Sequence, residues 1–119
     1  SEIDVRGLAH ITGGGLMNLR RIGSGVGYRV SQPLPSPPVF ELIAAFGEIA
    51  AAEMWEVFNM GCGFVAMVPA EQAEDAVQLL AGFHPGTAVI GEITAEADVI
   101  ELPHMRIHAA AGSERLTQY

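Results

Sequence analysis

The sequence has no lysine, a single cysteine and no long apolar run, and each absence closes off a class of chemistry. Its basic residues are six arginines: Arg6, Arg20, Arg21, Arg29, Arg106 and Arg115. Without lysine there is no Schiff-base nucleophile and no P-loop ammonium group to hold nucleotide phosphates. The lone Cys62 excludes an internal disulfide and a cysteine-rich zinc site, so stability must come from packing. No stretch reaches the roughly 18 consecutive apolar residues of a membrane-spanning helix. The N-terminus shows neither the basic nor the apolar region of a secretory signal, so a cytoplasmic location is expected. Acidic residues number 14, giving a net charge of −8 that repels duplex nucleic acid.

What is present is apolar. Half of the 119 residues are hydrophobic, enough to pack one domain, and too many for so short a chain to hide completely. A homo-oligomer or a further domain is therefore expected to cover part of the surface. The apolar spacing predicts an extended lead-in over Ile3–Ile11, a glycine loop at Thr12–Gly15 and a short helix over Leu16–Ile22. A strand follows at Val26–Val30, then an extended proline segment through Pro33, Pro35, Pro37 and Pro38. Ser36 is the expected cap of a helix ending at Gly47, and a second helix is expected over Ala50–Phe58. The continuous run Phe64–Val68 predicts a strand buried on both faces, and Ala70–Ala81 an amphipathic helix. Strands are expected at Thr87–Thr94, Asp98–Leu102 and Met105–His108, with a fraying tail over 109–119. Helices and strands without regular βαβ alternation give an α+β class, a mixed or antiparallel sheet with packed helices, as one domain over 1–108.

Two segments could carry chemistry. In His10-Ile11-Thr12-Gly13-Gly14-Gly15, consecutive glycines ahead of a helix let backbone N–H groups converge on an anion. Thr12 adds a hydroxyl, and His10 can donate to a phosphate or shuttle a proton. The same residues also suit a turn forced by close packing, with His10 buried and satisfied. In Phe58-Asn59-Met60-Gly61-Cys62-Gly63, Asn59 and Gly61 sit at a strand entrance where ligands are often recognised; alternatively, Asn59 caps a helix end. Cys62 lacks a neighbouring base and is expected to be buried filler. Arg20 and Arg21 either clamp a phosphate or pair with acids. His104 and His108 share a strand face without a third ligand, so no metal site is expected.

In order and distance, Gly7-Leu8-Ala9-His10-Ile11-Thr12-Gly13-Gly14-Gly15, Pro37-Pro38-Val39-Phe40-Glu41-Leu42-Ile43, Glu53-Met54 and Phe58-Asn59-Met60-Gly61-Cys62-Gly63 resemble phosphoribosylformylglycinamidine cyclo-ligase. The resemblance runs from about Asp4 to about Leu102 and implies a portion of that enzyme's C-terminal α+β domain. It implies ATP-dependent closure of the imidazole ring of formylglycinamidine ribonucleotide in purine biosynthesis, ATP activating the formyl oxygen. It also implies a dimerising N-terminal domain that binds ATP and magnesium. His10, Thr12, Gly13, Gly14 and Gly15 become candidate substrate or phosphate contacts, with Asn59 and Gly61 behind them. No catalytic residue is assigned. The resemblance places an upstream domain with its aspartates and lysine, and the start of the C-terminal domain, outside these 119 residues, and Arg20 stands where a proline is common. The chain alone is thus expected to hold neither ATP nor magnesium and to lack turnover. The alternatives are a free-standing phosphate or ribonucleotide-binding module and a dimeric structural protein.

Overall fold

The computed structural model describes residues 2–119. Strand β1, Gly7–His10, alternates outward and inward: Leu8 and His10 are exposed while Ala9 is buried. It pairs antiparallel with β3, Phe64–Met67, in a two-stranded sheet with His10 opposite Phe64. A second sheet has five strands: β2 Gly27–Arg29, β4 Glu92–Thr94, β5 Ile100–Leu102, β6 Ile107–Ala109 and β7 Thr117–Gln118. Their spatial order is β4-β2-β5-β6-β7; only β2 and β5 run parallel. The class is α+β with a mixed sheet. Three α-helices, α1 Pro38–Gly47, α2 Ala51–Val57 and α3 Ala73–Ala81, lie in the connection between β2 and β4.

The five-stranded sheet obeys period two. Tyr28, Ile100, Leu102, Ile107 and Ala109 point inward and join Leu16, Leu19, Val30, Trp55 and Leu116 in one core. On the other face Arg29 reaches Glu92 and Glu101 on the flanking strands at 3.0 and 2.9 Å, as expected for a sheet with one solvated side.

Several expectations are corrected. The segment after the glycine loop is a 3-10 helix, Gly15–Arg21, and a further 3-10 turn, Ala70–Gln72, precedes α3. Ser36 makes no cap bond: Pro37 occupies the cap position and Pro38 opens α1, where its missing N–H costs nothing. Strand β3 is not buried on both faces, since Phe64 and Ala66 are exposed and, among the described residues, β1 is its only partner strand. Pro103 starts a 3-10 turn through Met105, so His104 lies off the strand that holds His108. The segment 109–119, expected as a loose tail, lies against the sheet. Strand β7 pairs with β6, Leu116 is buried, and its N–H donates to Glu56 Oε1 at 2.7 Å. Arg20 fastens the same segment by donating to the carbonyls of Asp98, Ala110 and Ser113. A guanidinium spent on three carbonyls is a staple and not a phosphate clamp.

Candidate functional site

The glycine loop leaves the inner end of β1 and turns over the core. Ile11 is buried, its N–H donating to Gly63 O at 2.8 Å, so the loop starts from a fixed point. The next anchor is Asn18, the one buried polar residue among the described residues. Its Nδ2 donates to Gly15 O at 2.9 Å and lies 3.3 Å from both Thr12 O and Gly13 O. Gly15 N–H closes the turn on Thr12 O at 3.0 Å. Sequence reasoning missed Asn18. The available signal was an amide inside an apolar helical pattern, three residues beyond the glycines, in the position where a buried donor can satisfy loop carbonyls.

The three glycines do different work. A Cβ on Gly13 would meet nothing within 4 Å, so that residue faces open space. A Cβ on Gly15 would lie 2.1 Å from Trp55 O and 2.8 Å from Phe58 O, at a φ of +49°. Gly15 is thus required by close approach to α2 and the residue after it. Gly61 is likewise a packing glycine, at φ +101° with its missing Cβ 2.6 Å from Pro37 Cδ.

Between the loop and the helical side lies an open cleft of about 430 Å³, lined by Ile11, Thr12, Gly13, Phe40, Val57, Phe58 and Asn59. Thr12, Gly13 and Asn59 are therefore brought together from the two segments singled out in the sequence. Gly14, Gly15, Gly61 and His10 are not among the lining residues. His10 is exposed rather than buried, and its ring lies 6.0 Å from that of Phe64, tilted by 35°. Asn59 does not cap α2. Its Oδ1 accepts from Gly61 N–H at 2.8 Å in a tight turn, which leaves the Nδ2 group as its remaining donor. The aromatic side of the cleft is Phe40 on α1 and Phe58 after α2, with ring centres 5.8 Å apart and inclined by 54°.

The electrostatics favour backbone over side-chain chemistry. Seven residues of 3-10 helix cannot supply the field of a long α-helix behind the loop. Cys62 borders a small apolar void below the loop, about 10 Å³, together with Leu16, Trp55 and Val65. Burial pushes its thiol above the ordinary range, offset in part by the contact of Sγ with Phe64 O, so it makes a poor nucleophile. Among the described residues no three His, Cys, Asp or Glu side chains come together as metal ligands.

The family described as AIR synthase related protein, C-terminal domain, matches residues 1–102. Relatives named phosphoribosylformylglycinamidine cyclo-ligase are 41% identical over 92 residues in Methanopyrus kandleri and 44% over 104 residues in Methanothermobacter thermautotrophicus. The Pyrococcus horikoshii relative of that name is 39% identical over 107 residues. These matches take in 77, 86 and 90% of this chain but only 26, 29 and 31% of the relatives, so the chain spans less than a third of their length. The glycine loop, the asparagine turn and all three helices fall inside the matched residues. The chain belongs to the AIR synthase related protein family, as a portion of its C-terminal domain.

Proposed function

We propose that this chain is the substrate-holding portion of a phosphoribosylformylglycinamidine cyclo-ligase, and that its glycine loop takes the phosphate of formylglycinamidine ribonucleotide. The observation that carries this reading is the grip of Asn18 on the loop. A trans peptide sets its N–H opposite its carbonyl, so carbonyls of Thr12 and Gly13 drawn toward Asn18 Nδ2 turn the Gly13 and Gly14 N–H groups away from it. The Gly13 N–H, with the Thr12 hydroxyl and Asn59 Nδ2, forms the neutral donor set of the cleft, and the Gly14 N–H lies beside it on the loop. In a chain of charge −8 without lysine, and with Arg20 committed to three carbonyls, backbone donors are the means of phosphate binding at this loop. His10, exposed at the end of β1, stands outside the cleft as a proton donor for a substrate extending along that strand.

ATP, with magnesium, supplies the phosphoryl group that activates the formyl oxygen, and both are held by other parts of the longer protein. The residues of this chain bind and orient, and the chain alone does not turn over. The exposed apolar residues of α1, Val39, Leu42 and Phe46, support a cover supplied by the N-terminal domain or by a second copy, in a cytoplasmic homodimer.

Calorimetric titration with formylglycinamidine ribonucleotide tests this reading. Gly13→Asp places a carboxylate among the donors at a position with room for a side chain. The expected outcome is binding by the natural sequence, lost in Gly13→Asp with the circular dichroism spectrum unchanged. Equal binding by both would move the phosphate elsewhere.

A further inference from the structure

The cleft is larger than its polar residues need. Open to solvent, it runs from Thr12, Gly13 and Asn59 past the apolar residues beside them, so a phosphate at the loop covers one end only. The remaining wall is apolar: Ile11, Val57, Phe40 and Phe58. The two phenylalanines, 5.8 Å apart and inclined by 54°, form a corner of two rings. Aromatic rings in this setting favour a flat unsaturated group stacked on a face, or an electron-poor group set against it.

Resting on the phosphate reading above, we infer that Phe40 and Phe58 are the specificity determinants of the cleft, and that they select phosphorylated ligands carrying a flat unsaturated group at the end away from the phosphate. The spacing between the two subsites is built into the backbone. Phe58 is held against the loop because its carbonyl lies where a Cβ of Gly15 would be, and Asn18 fixes the other side of that loop. A ligand that satisfies the loop with its phosphate therefore meets the rings at a set distance. A sugar phosphate alone satisfies the first subsite only. The planar amidine of formylglycinamidine ribonucleotide meets the requirement of the second.

The test compares two probes, ribose 5-phosphate and adenosine 5′-monophosphate, titrated calorimetrically into the full chain and into Phe40→Leu and Phe40→Trp. Phe40 is half-buried on a helix that buries no residue, so both substitutions leave the fold intact by circular dichroism. The expected result is about tenfold tighter binding of the nucleotide than of the sugar phosphate, as stacking of one base supplies. That ratio falls to about one in Phe40→Leu and is kept in Phe40→Trp, while ribose 5-phosphate binds all three alike. Equal affinities in the natural sequence, or a preference that survives Phe40→Leu, overturn the aromatic assignment and leave the phosphate site standing. Failure of both probes to bind in a Gly13-dependent way removes both.

Discussion

The five-stranded sheet and the ribbon of β1 and β3 are built from similarly apolar sequence, yet only the sheet buries it. Ile100, Leu102 and Ile107 are 0% exposed, whereas Leu8 and Phe64 on the ribbon are 55% and 58% exposed. Helix α1 sharpens the contrast: nearly every residue in it is apolar, none is buried, and Phe46 is 83% exposed. Apolar content therefore does not locate the core in this chain. Partners do: the sheet residues are covered by Trp55, Leu16 and Leu19, while Leu8 and Phe64 on the outer face of the ribbon stay exposed. The candidate site sits on the seam. Its loop is anchored in the finished region, and its aromatic wall belongs partly to the unfinished one.

The largest expected effect separates the two regions directly. Ile107→Ala should lower unfolding free energy by about 2–5 kcal/mol, while Leu42→Ala on α1 should stay within about 0.5 kcal/mol. Urea denaturation of the two variants checks this, and equal losses would mean that α1 is packed in solution. Within the loop, Gly15→Ala should cost about 3 kcal/mol, because the added methyl meets two carbonyls at a left-handed φ. Gly13→Ala, with open space around it, should leave stability unchanged. Asn18→Ala should cost about 1–3 kcal/mol by stranding loop carbonyls, and should weaken ribose 5-phosphate binding as the loop amides lose their orientation. The smallest effect concerns Cys62. Its folded-state pKa is raised by burial, so its contribution to stability is complete below the unfolded thiol value of about 8.5 and declines as pH rises toward the folded value. Iodoacetamide should accordingly alkylate Cys62 more slowly in the folded chain than in urea at pH 8.

Much of the fold was legible because its signals are local. Proline before Val39, glycine after Phe46 and the alternation around Tyr28 place α1 and β2 to within a residue or two. Non-local matters were not legible. The last residues read as a loose tail, since the attachments of Leu116 to Glu56 and of Arg20 to three carbonyls join positions 60 to 93 residues apart. Phe64–Val68 read as a strand buried on both faces because its composition reports hydrophobicity and says nothing of how many layers cover it. At the site, the glycine run drew attention to the right loop without revealing that Gly15 answers to Trp55 and Phe58 while Gly13 faces the cleft. Asn18 escaped notice because its role depends on three carbonyls folded back upon it.

The central claim is that loop amides turned outward by Asn18 receive the ligand's phosphate. Amide-resolved NMR of the ¹⁵N-labelled chain titrated with ribose 5-phosphate tests it most directly. The account predicts saturable shifts at the Gly13 and Gly14 amides and at the Asn59 side-chain amide, with the β5 and β6 resonances unmoved. Shifts confined to other surfaces, or none at the glycine loop with ligand in large excess, would contradict it.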